Sequence, residues 1–201
     1  MPDRLAPDPA GIARAAELLR EGQLVAFPTD TVYGIGCRTG DPEALRRIFV
    51  AKRRDPEKAV PWLVASAAEV AGSGFLADDR ALRLAAEFWP GALTLVLPAT
   101  HGAATQAFRV PRHEVALALL ATAGPLAVSS ANRSGEPETL DADDVAIAFA
   151  DAEEPSAIVD GGRVPGGIAS SVLDLTLPVP RLLREGAVSR AEIEAVIGPI
   201  D

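Results

Sequence analysis

The chain has 201 residues, 48% of them hydrophobic, a size that supports one domain with its own core and needs no covalent staples. Its net charge of −9 is the wrong sign for a dedicated nucleic-acid binder, and no apolar run is long enough to span a bilayer. One cysteine, Cys37, excludes an internal disulfide framework and a zinc cluster, and His101 and His113 leave little for histidine-based catalysis.

The opening Met1-Pro2-Asp3-Arg4 lacks the basic and apolar regions of a signal peptide, which with the lone cysteine makes the cytoplasm the expected compartment. Asp8-Pro9 opens a first helix with Ile12, Ala15, Ala16 and Leu19 on one face, and Gly22 ends it. Leu24-Val25-Ala26-Phe27 reads as a buried strand. It runs into Pro28-Thr29-Asp30-Thr31-Val32-Tyr33-Gly34-Ile35-Gly36, read as a ligand-facing loop at the strand's carboxyl end, where open α/β sheets place their sites. Asp41-Pro42-Glu43 starts a helix over 42–51 with an N-cap, a proline at the first helical position and an acid in the first turn. Lys52 and Arg54 follow just past its end. Residues 46–58 carry Arg46, Arg47, Lys52, Arg53, Arg54 and Lys58 against Asp55 and Glu57 only, and both lysines of an otherwise arginine-using chain fall there. A compact ammonium wanted at one of these places, or chance, would account for that.

Further on, 61–65 reads as a strand and Ser66-Ala67-Ala68-Glu69 as the capping box of a short helix. A helix over 78–88 is stopped by Trp89-Pro90-Gly91, strands follow at 93–97 and 107–110, and a helix fills 112–122. The strand 126–128 enters a second polar loop, Ser129-Ser130-Ala131-Asn132-Arg133-Ser134-Gly135. A helix near 141–150, a strand at 157–159, a flexible turn bracketed by Gly161-Gly162 and Gly166-Gly167, and strands near 171–175 and 180–184 come next. Ser189-Arg190-Ala191-Glu192 caps the last helix. Strands mixed with helices predict an α/β protein with a mixed sheet.

Several motifs fail on inspection. Gly34-x-Gly36-x-x-x-Gly40 is one residue too long for a dinucleotide fingerprint, and neither lysine stands in a Walker A sequence. Cys37 has no histidine nearby in sequence and reads as a small buried residue. Lys52 and Arg54 could cap a helix C-terminus, but a cluster of cations there exceeds what a cap needs. Arg109, between Phe108 and Val110-Pro111, requires either a buried carboxylate or a bound anion. A hydroxyl-lined loop joined by one helix to a cationic cluster suggests a site for a small polar anion.

Pro28-Thr29-Asp30-Thr31-Val32-Tyr33-Gly34, Lys52-x-Arg54, Arg109-x-Pro111, Ser130-Ala131-Asn132, Ser170-Ser171-Val172 and Leu183-Arg184-Glu185-Gly186 occur together and in order. This set closely resembles the YrdC/TsaC family, the threonylcarbamoyl-AMP synthases, over nearly the whole chain. The resemblance implies a single YrdC-like domain over 8–198, a twisted open mixed sheet flanked by helices, with a cationic substrate cavity. It matches the short form, without the extra C-terminal domain of longer members. It also implies an enzyme that condenses L-threonine, bicarbonate and ATP to threonylcarbamoyl-adenylate and pyrophosphate, for a downstream tRNA-modifying threonylcarbamoyl transferase.

By the same resemblance Lys52 and Arg54 are catalytic and, with Lys58, meet the phosphates, while Arg184 faces the nucleotide. Arg109 clamps the threonine carboxylate, and Thr31, Ser129 and Ser170 contact threonine. Ser130 and Asn132 line the ATP side. Magnesium is implied with ATP, no organic cofactor is implied, and direct tRNA binding is expected to be weak or absent. The sequence departs from the family pattern at Asp55 and Ala59, where proline is common, and at Leu63, where many members have histidine. Two rival readings are an RNA-binding module gripping phosphates with 46–58 and a carbamoyl-transfer relative of the kind used in hydrogenase maturation.

Overall fold

Local signals set the helices. In the computed structural model, which describes residues 1–201, the chain runs β1 (Asp3–Leu5), α1 (Pro9–Arg20), β2 (Val25–Pro28), β3 (Tyr33–Arg38), α2 (Pro42–Lys52), β4 (Trp62–Leu63), α3 (Ala67–Ala71) and α4 (Asp79–Phe88). It continues through β5 (Leu93–Pro98), β6 (Thr105–Arg109), α5 (Glu114–Ala123), β7 (Leu126–Ser130) and α6 (Ala142–Ala148). The last elements are β8 (Ala157–Val159), β9 (Ser171–Asp174), β10 (Arg181–Arg184) and α7 (Arg190–Ile197). Asp8, Asp41 and Asp78 each accept the N–H three residues on, at 2.8, 2.9 and 3.0 Å, satisfying donors that a helix start leaves orphaned. Ser189 and Glu192 close the predicted capping box of α7. The box predicted at Ser66 forms only in part: its hydroxyl caps nothing, and Glu69 reaches back to the Ala65 N–H at 3.4 Å.

Ten strands form one mixed sheet in the order β1-β8-β2-β3-β7-β4-β6-β5-β9-β10. Two of them, β1 and β3, go beyond the sequence prediction. β1 pairs in parallel with β8 at the sheet edge. β3 is the more consequential, because Tyr33-Gly34-Ile35-Gly36 is not loop but a strand, antiparallel to both β2 and β7. The ligand-facing loop is thus cut back to the tight turn Thr29–Val32 between β2 and β3. Glycine suits the strand because neighbours crowd it: a Cβ on Gly34 would lie 2.7 Å from Val128 Cγ1, and one on Gly36 3.1 Å from Val128 Cγ2.

Alternation along the strands divides the core between faces. Ala26, Tyr33, Ile35 and Cys37 pack with α2 and α6, whereas Val25, Phe27, Leu126 and Val128 pack with α1 and α5. Toward the other end of the sheet, Leu95, Leu97, Phe108 and Leu173 bury against Leu84 of α4 and Ile193 of α7. Their strand neighbours Thr94, Val96, Ala107, Arg109 and Val172 therefore point the other way, into a cavity. No helix is long and apolar enough to cross a membrane.

Candidate active site

The cavity has a volume of about 290 Å3 and draws its walls from seven strands adjacent in the sheet, β3 through β10 in sheet order. It spans a sheet face, not the crevice at strand ends that the sequence reading expects. The missing side chain of Gly34 and the small Ala107 help to keep that face open. Of the sequence candidates, Thr31, Arg54, Arg109, Ser129, Ser130, Ser170 and Arg184 line it, and Lys52, Lys58 and Asn132 do not. Its charged lining is three arginines and one carboxylate, Glu138.

The turn at Thr29–Val32 forms one end. The Thr29 hydroxyl donates to the Val32 carbonyl at 2.7 Å, so the 3.0 Å contact with Thr31 Oγ1 has Thr31 as donor. Thr31 Oγ1 in turn accepts from Arg109 Nη1 at 3.1 Å. The Gly161–Gly167 segment, predicted to be flexible, is tied over this turn. The Tyr33 hydroxyl donates to Gly162 O at 2.8 Å and accepts the Gly161 N–H at 3.2 Å, and the Gly167 N–H donates to Thr31 O at 3.0 Å. Gly166 lies so close that a Cβ would sit 1.7 Å from Thr31 O. Burial pushes the Tyr33 phenol and the Cys37 thiol each up to about 12, which leaves both uncharged structural groups.

Arg109 resolves the choice between carboxylate and anion by having the first and facing room for the second. Only 6% exposed, it donates from Nη2 to Asp30 Oδ1 at 2.6 Å and from Nε to Gly91 O at 2.8 Å. With Thr31 these occupy three of its five N–H donors, and the guanidinium still borders the cavity. Burial lowers its pKa while Asp30 raises it, and an arginine so placed stays cationic.

Arg184 donates to Ser170 O at 3.0 Å and to Ser170 Oγ at 3.3 Å, and Ser170 Oγ also pairs with Thr94 Oγ1 at 2.8 Å. Arg54 spends one donor on Ala59 O at 3.2 Å, and its Nε is buried without a partner. Burial depresses both arginines; Asp55 partly offsets this at Arg54, and at Arg184 the charge of Glu138 raises the pKa while that of Arg54 lowers it. A pocket that crowds like charges and leaves a buried donor unused is prepared for an anion.

Lys52 is not past the helix but its last residue, and it turns inward. Arg53 makes this possible by taking a left-handed conformation, φ 51°, at a cost of about 1–2 kcal/mol for a side-chain-bearing residue. With 1% exposure, the Lys52 ammonium donates to the carbonyls of Ser130 and Asn132 and lies 3.4 Å from Asn132 Oδ1. Asn132 Oδ1 also accepts from Ser130 Oγ at 2.6 Å, and its Nδ2 donates to Glu136 O at 2.7 Å. Lys52 and Asn132 therefore brace the wall from behind instead of lining it. Burial first, then the charge of Arg54, brings Lys52 down to about 8. Lys58 is exposed on the loop after α2 and does not reach the cavity.

Three participants escape a linear reading: Asp30, Thr94 and Glu138. Asp30 lies in the Pro28–Gly34 motif and Thr94 in the strand predicted over 93–97, but only the fold brings them to Arg109 and Ser170. Leu63 borders the cavity with an apolar side chain, and Ala59 contributes its carbonyl to Arg54. No three histidine, cysteine, aspartate or glutamate side chains cluster to hold a metal by themselves, and Glu138 is the single carboxylate in the cavity lining.

Comparison with known proteins gives consistent findings. The Sua5/YciO/YrdC family model, described as "Telomere recombination", matches residues 17–186. A threonylcarbamoyl-AMP synthase of Bacillus subtilis is 41% identical over 98% of this chain and 60% of its own length. Another protein of that name, from Alkalilimnicola ehrlichii, is 35% identical over 92% of this chain and 94% of its own. The crystal structure of P. abyssi Sua5 complexed with L-threonine matches with a TM-score of 0.89 at 39% identity, over 100% of this chain and 62% of that one. The chain thus spans less than two thirds of the B. subtilis and P. abyssi proteins.

Proposed function

Because the chain belongs to the Sua5/YciO/YrdC family, we propose that it is a threonylcarbamoyl-AMP synthase, a nucleotidyl transferase acting on L-threonine, bicarbonate and ATP. The observation that carries this reading is the cavity itself, in which Arg54, Arg109 and Arg184 share one lining with the hydroxyls of Thr31, Ser129 and Ser170. Arg109, held as a fork, suits an amino-acid carboxylate, and Arg54 with Arg184 suits a polyphosphate.

In this reaction the threonine amine and bicarbonate give a carbamate and water. A carbamate oxygen attacks the α-phosphorus of ATP, the bond from that phosphorus to the bridging oxygen breaks, and pyrophosphate leaves. Both reactants are anions, so the protein's contribution is alignment and charge neutralisation. Arg109, held by Asp30 and Gly91, would present its remaining donors to the threonine carboxylate, with Thr31, Ser129 and Ser170 beside it. Arg54 and Arg184 would neutralise the phosphates, and Ser130 would face the nucleotide. Lys52 would add positive charge from behind the wall and, through Asn132, keep the Ser129–Asn132 backbone in place. Magnesium, when bound with ATP, supplies further neutralisation of the triphosphate, and Glu138 is the residue that fits it.

Substrates other than RNA are favoured by where the cations go. Of the basic segment, Arg46 pairs with Glu43, Arg47 with Glu154 and Arg53 with Asp151, at 2.7, 2.5 and 2.8 Å. These pairs leave little uncompensated charge outside for a phosphate backbone, in keeping with weak or absent tRNA binding. The product would pass to a threonylcarbamoyl transferase acting on tRNA, in the cytoplasm. Pyrophosphate release from ATP, measured with and without L-threonine, tests the proposal. Release that rises on adding threonine and is lost in Arg54→Ala supports it; release indifferent to threonine refutes it.

A further inference from the structure

Glu138 stands on the loop between β7 and α6 and is the cavity's only acidic side chain, set among Arg54, Arg109 and Arg184. Its Oε2 is closed off from solvent and accepts no hydrogen bond, although the Arg54 Nε–H is also buried and unpartnered. The cations nearby are therefore not spent on it. They influence it at a distance only: Glu138 favours the charged forms of Lys52 and Arg184. A carboxylate in a pocket for a polyphosphate is a liability, because it repels the ligand and leaves an oxygen desolvated. The liability becomes an asset when the ligand carries a cation of its own.

Resting on the reading of this cavity as an ATP site, we propose that Glu138 is the protein's ligand to the magnesium that accompanies ATP. Magnesium is commonly held by one or two carboxylates together with substrate phosphates and retained waters. No cluster of three acidic, histidine or cysteine side chains exists to bind it independently. On this assignment the metal would enter with the nucleotide. In this arrangement Arg54 and Arg184 stay free for the remaining phosphate oxygens.

The test is calorimetric titration of ATP into the wild type, Glu138→Gln and Glu138→Ala, in magnesium and in EDTA at equal ionic strength. Melting temperatures establish that each variant is folded. Wild type should bind ATP at least tenfold more tightly with magnesium than without. Both variants should lose most of that gain while binding metal-free ATP as well as wild type or better. Variants that keep the full magnesium gain overturn the proposal. Equal tightening of both forms of ATP also overturns it, since Glu138 is then merely a repulsive charge. Wild type that binds no ATP in either buffer overturns the nucleotide reading itself, and the role of Glu138 with it.

Discussion

Arg109 and Asp30 meet at 2.6 Å with side-chain exposures of 7% and 15%, and the same aspartate oxygen accepts the Arg112 backbone N–H at 2.9 Å. One carboxylate thereby fixes the turn after β2, the end of β6 and the direction of the guanidinium. A rigid fork aimed into a cavity is a different object from an ion pair that only joins two loops, and the two can be separated.

Arg109→Lys retains the charge but loses the planar fork, so it should raise the KM for threonine roughly ten- to hundredfold, the equivalent of about 1.5–3 kcal/mol for hydrogen bonds to a charged group. Asp30→Ala removes one partner of a buried pair and should cost about 3 kcal/mol of stability. It should also raise the threonine KM, although Asp30 is assigned no contact with threonine. Kinetics at varied threonine and urea unfolding read the two effects. A lysine variant that loses stability with its threonine KM unchanged would make Arg109 a purely structural residue.

Lys52 should leave its mark in pH dependence. Its pKa falls from 10.5 to about 8 on folding, chiefly through burial. Below pH 8 the lysine is charged in both folded and unfolded chains, so the cost of burying the charge is present in full. Between 8 and 10.5 the unfolded chain holds the extra proton, and stability contributed by this group rises with pH, by up to about 3 kcal/mol relative to Lys52→Met. Loss of the charge has the opposite effect on function: kcat/KM for ATP should fall above pH 8 in wild type, with that break absent in Lys52→Met. Identical pH profiles would show that the ammonium charge contributes nothing.

Glycine packing predicts a contrast. Gly34→Ala drives a methyl to 2.7 Å from Val128 Cγ1, a side-chain atom, so Val128→Ala should restore most of the lost stability in the double variant. Gly166→Ala drives it to 1.7 Å from Thr31 O, a backbone atom that cannot be trimmed. That variant should be destabilised by about 3 kcal/mol or more and should lose threonine affinity as the turn shifts. Unfolding curves decide both; additive losses for Gly34→Ala and Val128→Ala would refute the contact.

What the sequence discloses follows how local each signal is. Asp8 and Asp41 cap helices through N–H groups three residues away, and both are legible directly. The strand Tyr33–Arg38 is hidden because Gly34 and Gly36 have poor strand propensity, and the reason for them is Val128, which lies far along the chain. Lysine at 52 in an arginine-using chain marks the position as unusual, but the carbonyls it grips are 78 and 80 residues on. Thr94 is concealed within a leucine-rich strand until the pairing of β5 with β6 and β9 turns it toward Ser170. The order of family motifs foretells most of the cavity lining, whereas which residues touch and which stand behind depends on register.

The proposal that this cavity joins threonine, bicarbonate and ATP without RNA is tested most directly by the nucleotide it makes. Purified protein should be incubated with ATP, L-threonine and carbon-13 bicarbonate, and the nucleotide products analysed by mass spectrometry. The expected product is threonylcarbamoyl-adenylate carrying one heavy carbon, formed with no RNA present and absent when threonine or bicarbonate is withheld. A nucleotide product without the label, or none until tRNA is added, would contradict it.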